Sequence, residues 1–406
     1  MVLKEELEAA VSGQKKGLSK KTKLTEREAI AGFKHSSTHI EVITGIRRCG
    51  KSTLMRQLIT NTHQEFAYLN FEDPRIFGFE VSDFSKLDEV FGEEVSVYFF
   101  DEIQNVTGWE VFVRQLHDRG SKVYITGSNA SLLSSELGTR LTGRHLSYEM
   151  FPFSYSEYLA YSEQEDSKES FLDYLYSGGF PEFLRDRNPE VLQNLLKDIV
   201  FRDIAIRYGI KNTKTLMEIA LFLLSNVGKT TSINSLRKTF DVGSPSTVSD
   251  YLSWMEDAYL FFFVPKFSWS AKSISKNPKK VYAIDTGFAK ANSLSFSNDN
   301  GRLLENLVFI LLRKKDFELY YFNERRECDF VVMENKQCKW VIQVTEQVHG
   351  DNKQRELDGL VEAMTFFGKE EGFIITMDQN DKLTLEEKTV RLIPVRTFLK
   401  EFLSSP

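Results

Sequence analysis

A short glycine-bounded run constrains this 406-residue chain more than any other feature of its sequence: Gly45-Ile46-Arg47-Arg48-Cys49-Gly50-Lys51-Ser52. The run has the pattern G-x-x-x-x-G-K-S, and it lies between an apolar segment typical of a strand and the apolar periodicity of a helix. Backbone N–H groups of such a loop surround phosphates, and the helix dipole adds positive potential. Lys51 then reaches the β- and γ-phosphates, and the Ser52 hydroxyl ligates Mg²⁺. We therefore expect ATP and Mg²⁺ to bind here, with Thr53 completing the binding residues.

Two carboxylates at the end of an apolar strand predict the second half of this site. Asp101 and Glu102 directly follow the apolar residues 97–100. Asp101 is expected to hold the magnesium shell, and Glu102 to orient or deprotonate an attacking water. Such a pair alone is equally typical of a solvated turn, so the catalytic interpretation depends on the loop. Ser128 or Asn129, after the next strand, is expected to sense the γ-phosphate or to help place the water.

Two arginines, Arg140 and Arg144, follow that strand. An arginine presented to the γ-phosphate of a neighbouring subunit stabilises the charge of the transition state. We expect one of the two to act in trans, within a homo-oligomer. The alternative is that each arginine pairs with a local carboxylate.

Cys49 lies within the loop, beside Lys51 and close to the predicted start of the helix. Positive surroundings of this kind lower the pKa of a thiol and raise its reactivity. The hypothesis is that maleimide-type alkylation of Cys49 blocks nucleotide binding and that nucleotide protects the thiol. The alternative is an inert small residue that fills space.

Composition narrows the class of protein. Lys and Arg total 52 against 58 Asp and Glu, a formal net charge of −6, which argues against coating nucleic acid through bulk charge but leaves a local basic face open. Three widely spaced cysteines fit neither a disulfide framework nor a zinc cluster, which predicts a reducing, cytoplasmic setting. The start is too acidic for a signal peptide, and the longest apolar run, 258–264, is too short to span a membrane. We expect a soluble protein with no membrane partner.

Alternating strands and helices predict an α/β fold with a P-loop NTPase core. After a first strand at 40–44, further strands are predicted at 66–69, 95–100, 123–126 and 146–150. Strands joined by helical crossovers form a mainly parallel sheet covered on both faces. Beyond residue 151 the pattern is helical to about residue 225, with a break at 178–181 where Gly and Pro cluster.

The rest of the chain predicts two further folded regions. A helix at 233–240, a turn, a second helix from about Ser246 and a strand pair at 260–264 and 266–270 describe a winged helix. A last α/β block opens with a helix at 303–314 and continues with strands at 319–322, 329–333, 340–345 and 373–376. We accordingly expect a leader at 1–29, a nucleotide-binding core at 30–155, a helical region at 156–228, a winged helix at 229–295 and a final domain at 296–406.

With these motifs the chain resembles a group of prokaryotic AAA-type ATPases that have a P-loop core, a winged helix and a C-terminal domain of nuclease-like fold. The resemblance extends over residues 30–400, and besides the loop it rests on the segments 70–73, 100–104, 126–128, 151–154, 178–182 and 280–287. It implies ATP hydrolysis and a ring or other oligomer. It also implies a Gly-x-Pro segment, Gly179 and Pro181, near the nucleotide.

The last block resembles the PD-(D/E)xK nuclease fold in its order of elements, with Glu305 on the opening helix and Asp329 at the start of a strand. Gln343 and Thr345 replace the second acid and the lysine of that pattern. Because nuclease chemistry needs carboxylates for divalent metal and a cation or base at the water, we expect a degenerate domain that binds nucleic acid or a partner. Glu305, Asp329 and the Gln343 carbonyl are still expected to bind one metal weakly, with Lys353 or Arg355 supplying the missing charge.

The predicted winged helix leaves its own role open. Its second helix opens with polar residues suited to phosphates, but it has no arginine pair for guanine edges. The following segment is basic, with Lys266, Lys272, Lys276, Lys279 and Lys280. DNA contact and packing as an ATPase lid or subunit contact remain equal alternatives.

The leading functional interpretation is a Mg²⁺-dependent ATPase whose nucleotide state rearranges the winged-helix and nuclease-like domains on a partner, expected to be DNA. A second interpretation is a slow ATPase switch that acts through protein partners, which the ordinary charge balance favours. A third is an ATP-regulated nuclease.

Overall fold

The computed structural model of the protein describes residues 1–18, 24–33, 38–62, 64–129, 141, 143–295, 299–385 and 387–401. The chain divides into two compact units. The first comprises Met1–Gln164 together with Asp257–Tyr259, and the second comprises Glu165–Glu256 and Leu260–Pro406. No helix within the described ranges combines the length and the apolar character needed to cross a bilayer.

The first unit is built on a five-stranded sheet, with β1 (Ile40–Thr44), β2 (Phe66–Asn70), β3 (Val97–Asp101), β4 (Lys122–Gly127) and β5 (His145–Glu149) in the order β2-β3-β4-β1-β5. All neighbouring strands pair in parallel, as the sequence predicts. The carboxyl ends of β1, β3 and β4 therefore meet at one edge of the sheet. In an open sheet of this kind, ligands bind at the carboxyl ends of the strands.

Helices cover this sheet: α1 (Lys4–Leu18), α2 (Lys51–Thr60), α3 (Phe84–Phe91), α4 (Trp109–Asp118) and α5 (Tyr155–Ser162). Part of the predicted leader folds into this unit, because Leu7 and Ala10 of α1 are fully buried in its core. Gln14 also exchanges hydrogen bonds with the backbone of Asn70 at the end of β2. Apolar contacts made through tertiary structure thus override the polar composition of the leader.

The first part of the second unit is mainly helical, with α6 (Lys168–Ser177), α7 (Pro181–Asp186), α8 (Pro189–Asp198), a π-helix (Ile199–Ile206), α9 (Thr213–Leu224), α10 (Ile233–Thr239), α11 (Pro245–Asp257), α12 (Ala271–Lys276) and α13 (Thr286–Asn292). A small antiparallel sheet in the order β6-β8-β7 accompanies these helices, with β6 (Thr230–Thr231), β7 (Phe261–Pro265) and β8 (Lys279–Ala283). The two helices predicted near 233–240 and from Ser246 are confirmed.

The predicted strand at 266–270 is wrong. The partner of β7 is β8, and the residues between them form a connection and α12. Phe267 is buried against the rings of Phe366 and Phe367, and Lys266 forms an isolated parallel bridge with Tyr321. This aromatic packing draws the chain away from β7, so the hairpin closes thirteen residues later in sequence than its composition indicates.

The predicted break at 178–181 is confirmed, and a buried aspartate from a later segment explains it. Gly178 has a φ of 67° between α6 and α7, and a Cβ at this position would lie 2.0 Å from Asp285 Oδ1. Asp285 Oδ2 accepts the Gly179 N–H at 2.7 Å, and Oδ1 accepts the Phe288 N–H that caps α13. Two segments that carry the family resemblance, 178–182 and 280–287, are therefore joined at one carboxylate.

The second unit ends in a mixed six-stranded sheet flanked by α14 (Asn300–Arg313), α15 (Lys353–Phe366) and α16 (Val395–Glu401). Its order is β13-β14-β12-β11-β10-β9, with β9 (Glu318–Asn323), β10 (Glu327–Glu334), β11 (Gln337–Val344), β12 (Glu371–Thr376), β13 (Asp381–Leu385) and β14 (Lys388–Pro394). The opening helix and the first four strands are confirmed. The sequence analysis did not identify β13, β14 or α16.

Candidate nucleotide site

The glycine-bounded loop runs from the end of β1 to the start of α2, as its sequence predicts. Gly45 and Gly50 have φ values of 150° and 105°, which side-chain-bearing residues rarely adopt. A Cβ at Gly45 would lie 2.1 Å from the Met150 carbonyl oxygen, and one at Gly50 would lie 2.7 Å from Arg27 Nη1. Backbone conformation and close packing therefore both require glycine at these positions.

Lys51 is buried at the first position of α2, with 3% of its surface exposed. Its ammonium donates to the carbonyls of Gly45 at 3.0 Å and Ile46 at 3.2 Å, and it lies 3.4 Å from Glu102 Oε1. Burial opposes the charge, but the surrounding acidic groups, chiefly Glu102 together with Asp101, outweigh it in sum and raise the pKa of Lys51. The ammonium is therefore charged and already directed into the loop.

Ser52 and Asp101 lie together, as a shared magnesium site requires. Asp101 is fully buried, and its carboxylate accepts hydrogen bonds from Ser52, from Thr126 Oγ1 at 2.5 Å and from Tyr68 and Asn70 at 3.2 Å. Burial and the neighbouring charge of Glu102 raise the pKa of Asp101, although its hydrogen bonds oppose this. A hydroxyl and a carboxylate fit Mg²⁺, which takes one or two carboxylates and keeps several waters. A bound cation would favour the ionised form of Asp101.

Glu102 is held in an unusual backbone conformation, with φ 54° and ψ 43°. Its N–H donates to Thr126 Oγ1 at 2.9 Å, which fixes the turn after β3. Burial opposes ionisation of its carboxyl group, but the ammonium of Lys51 and the amide of Gln104 lower the pKa of Glu102 below its usual value. The group is therefore a carboxylate at neutral pH, as an acceptor for a water proton must be.

Gln104 is a residue of this site that the sequence analysis quoted without assigning a role. Its Nε2 donates to Glu102 Oε2 at 2.5 Å and to Ser128 Oγ at 3.3 Å. Its Oε1 is buried and has no hydrogen-bond partner among the described residues. One amide thus links the carboxylate after β3 to the hydroxyl after β4. Asn129 is also buried at this edge, with 1% of its surface exposed.

Arg27 stabilises the loop through hydrogen bonds of its guanidinium. No sequence pattern distinguished it from the other cations of the leader. It is 3% exposed, and its guanidinium donates to Glu157 Oε1 at 2.8 Å and to the carbonyls of Cys49 and Phe151 at 2.7 Å. Glu157 also closes the capping box of α5 with Ser154. The segment 151–154, which carries part of the family resemblance, is therefore a structural support of the loop.

The structure contradicts the premise of the reactive-thiol hypothesis for Cys49, which was a lowered pKa of the thiol. The side chain is fully buried, and burial raises the pKa of its thiol even though Lys51 and Arg27 are near. Desolvation of the thiolate outweighs the attraction of the two cations, because no solvent reaches the sulfur. The alternative, a small residue that fills space, describes its position.

We expect maleimide to label Cys49 slowly at neutral pH, at the same low rate with and without ATP. Cys338, which is only partly buried, reacts first, although burial raises the pKa of its thiol to about 11. Mass spectrometry of peptides after timed labelling measures each rate, and labelling in denaturant is the control in which all three thiols react. Fast labelling of native Cys49 that ATP suppresses would restore the original hypothesis.

The structure describes only one of the two arginines predicted to act in trans. Arg140 lies outside the described residues. Arg144 is partly exposed, and its Nη1 lies 2.5 Å from Asp118 Oδ1 at the end of α4. Within its own chain it therefore makes the local ion pair that the sequence analysis gave as the alternative.

The remaining predicted site residues lie in the second unit. Pro181 is the first residue of α7. Glu305 and Asp329 do meet, but around the ammonium of Lys280, at 3.0 and 2.7 Å. Gln343 uses its side-chain carbonyl to accept the Asp329 N–H. This arrangement differs from the expected weak metal site, because the basic segment before these acids, rather than Lys353 or Arg355, supplies a cation that already engages them.

Comparison with known proteins agrees with this geometry. Residues 37–159 match the family described as AAA domain, and residues 168–299 match a domain of unknown function (DUF8612). An uncharacterized protein of Methanocaldococcus jannaschii is 34% identical over 416 residues, covering 94% of this chain and 92% of the relative. An uncharacterized protein of Haemophilus influenzae is 32% identical over 340 residues, covering 76% and 84%. The AAA part of the predicted resemblance is confirmed.

A solved structure is also weakly similar to this chain. The RuvB Holliday junction branch migration motor of Thermotoga maritima is 15% identical, covers 63% of this chain and 89% of its own, and superposes with a TM-score of 0.32. A TM-score this low establishes no shared activity.

Proposed function

Because this chain belongs to one family with the uncharacterized proteins of M. jannaschii and H. influenzae and carries an AAA domain over residues 37–159, we propose that it binds ATP with Mg²⁺ and hydrolyses it. The observation that carries the proposal is the convergence of four side chains at one sheet edge. Lys51, Ser52, Asp101 and Glu102 lie within one network of hydrogen bonds and ion pairs.

Each residue has a chemical role in this proposal. Lys51 binds the β- and γ-phosphates, Ser52 and Asp101 hold Mg²⁺, and Ser128 or Asn129 contacts the γ-phosphate. Magnesium, when bound, neutralises charge that develops on the phosphates. Phosphate oxygens compete with Glu102 for the Lys51 ammonium, so binding frees Glu102 Oε1 to orient the attacking water. Gln104 keeps hold of the other carboxylate oxygen, so the side chain stays aimed as it changes partners.

The coupling of this site to the rest of the chain is also proposed, and a single tyrosine supports it. Tyr259 follows α11, belongs to the first unit and has a φ of 58°. Its hydroxyl donates to Thr44 Oγ1 at 2.7 Å, directly before the loop. In this proposal, nucleotide-dependent movement at the end of β1 is transmitted through this hydrogen bond to Tyr259, which lies between α11 and β7.

DNA is the proposed partner, reached through a winged helix formed by α9 to α11 and the sheet β6-β8-β7. This order of helices and antiparallel strands is that of winged-helix domains. The connection between β7 and β8 carries exposed Lys272 and Lys276 beside Trp269, which is 78% exposed. Lys280, counted in that basic segment from sequence, is excluded because it is buried among carboxylates. Assembly into a homo-oligomer, with Arg140 or Arg144 acting in trans, belongs to the same proposal.

We expect duplex or single-stranded DNA to accelerate ATP turnover at low salt, with the effect weakening as salt rises, because phosphate contacts displace counterions. Steady-state phosphate release over a salt series measures this, and light scattering after gel filtration gives the subunit number. The double variant Lys272→Ala/Lys276→Ala loses the acceleration but keeps basal turnover, whereas Lys15→Ala/Lys16→Ala behaves as wild type.

Absence of any DNA effect would contradict the DNA proposal while leaving the ATPase intact. The second candidate, a slow ATPase switch that acts through protein partners, is then favoured by the net charge of −6.

A further inference from the structure

A lysine ammonium is buried among three acidic side chains of the second unit. Lys280 on β8 is 1% exposed, and its Nζ lies 3.0 Å from Glu305 Oε1, 2.8 Å from Glu327 Oε1 and 2.7 Å from Asp329 Oδ1. Glu305 comes from α14, and the other two acids come from β10. A buried charge is tolerated only when its partners satisfy it. One cation therefore connects three separate elements of this unit.

The groups around this cluster are satisfied by the protein itself. Tyr282 donates its hydroxyl to Glu305 at 2.6 Å, and the Val344 N–H donates to Asp329 Oδ2 at 2.9 Å. Gln343 lies at the position expected for a second acid. Its Oε1 accepts the Asp329 N–H, and its Nε2 donates to Glu356 Oε2. Glu305 and Asp329 are 8% and 5% exposed, so little of either carboxylate is open to a phosphodiester, whereas the Glu327 side chain is 41% exposed.

We propose that Lys280 is a built-in cation that takes the place of a divalent metal in this acid cluster and fastens the β7–β8 hairpin to β10 and α14. This acid cluster accordingly needs no divalent metal. Burial lowers the pKa of a lysine, but Asp329 and Glu305 outweigh it and raise the pKa of Lys280 well above its ordinary value. The ammonium is thus permanent over the physiological range.

The spacing of the cluster supports an ammonium rather than a metal. Contacts of 2.7–3.0 Å are those of charged N–H···O bonds, whereas Mg²⁺ binds oxygen at about 2.0–2.1 Å. In the part of the chain that the structure describes, no three His, Cys, Asp or Glu side chains are spaced to hold a metal ion.

Removing the ammonium provides the test. In nucleotide-free protein in EDTA, Lys280→Ala is expected to lower Tm by roughly 6–20 °C, because breaking a buried charge pair strongly destabilises a domain of this size. Ca²⁺ then restores Tm more than Mg²⁺ does, because its oxygen distances of about 2.3–2.6 Å require a smaller inward movement of the carboxylates. The Tm of wild type responds to neither ion nor to EDTA, and Lys279→Ala, one residue earlier on β8, is the matched control.

A variant that removes the lysine and the two buried carboxylates together keeps the proposal falsifiable. Lys280→Ala/Glu305→Gln/Asp329→Asn is expected to fold in EDTA, to be more stable than Lys280→Ala and to show no Ca²⁺ response. A wild-type Tm for Lys280→Ala in EDTA, or a soluble Lys280→Ala that ignores Ca²⁺, overturns the proposal. Should Lys280→Ala precipitate in every buffer, the triple variant decides: folding supports the role of the ammonium, and precipitation overturns it.

Discussion

Replacing Lys51 with alanine is expected to weaken ATP binding by about 100-fold or more, since hydrogen bonds to charged groups contribute about 1.5–3 kcal/mol each and the ammonium faces two phosphates. A second effect lowers turnover rather than ATP binding. Without the ammonium, Glu102 loses the cation that lowers its pKa, and burial then favours the protonated carboxyl group. Isothermal titration calorimetry with ATP and Mg²⁺ measures the binding loss.

The control for this variant must separate binding from folding. Lys51 donates to the carbonyls of Gly45 and Ile46, so its removal also relaxes the loop. Far-UV circular dichroism and Tm should show an intact fold, and Lys16→Ala on the exposed face of α1 should bind ATP as wild type does. A folded Lys51→Ala protein with wild-type affinity would contradict the assignment of this loop to nucleotide.

The geometry of the candidate site was largely predictable because its residues are close in sequence to strand ends. In a parallel sheet the carboxyl ends of neighbouring strands meet at one edge, so Asp101, Ser128 and the loop after β1 are brought together by topology alone. The glycine spacing additionally fixes where α2 begins. No alignment of distant segments was needed for these assignments.

The environments of Arg27 and Lys280 could not be predicted in this way, each for a physical reason. Arg27 contacts Glu157, which is 130 residues away in sequence, so nothing near it in sequence indicates that its guanidinium is buried. Lys280 looked like part of a basic surface because its three acid partners lie on other elements. Burial of a charged side chain is decided by tertiary packing, which composition does not encode.

Cys49 illustrates the opposite error: the sequence indicated positive charge near the thiol, but it did not indicate that the thiol is shielded from solvent. Lys51 and Arg27 do lower the pKa of the thiol, as positive charge must. The larger effect is desolvation, and it has the opposite sign. A local motif therefore predicts which charges surround a group more reliably than whether water reaches it.

Glu102→Gln is expected to bind ATP but to lower turnover by about 10²–10⁴-fold, the usual contribution of a general base. The substitution preserves volume and removes only the negative charge that accepts a proton. Its single amide oxygen must also serve two donors, since Lys51 and Gln104 each contact a different carboxylate oxygen in the native site. Leaving one buried donor unpaired costs about 1–3 kcal/mol of stability, a modest loss beside the catalytic one.

Single-turnover phosphate release and calorimetry together separate the two roles of Glu102. Because phosphate no longer competes with a carboxylate for Lys51, ATP affinity in Glu102→Gln should equal or exceed that of wild type while the chemical step slows. Glu93→Gln, an exposed acid of the same unit, should change neither quantity. Wild-type turnover in Glu102→Gln would reject its role at the water, and a parallel loss of affinity would mean that the carboxylate serves the loop rather than the reaction.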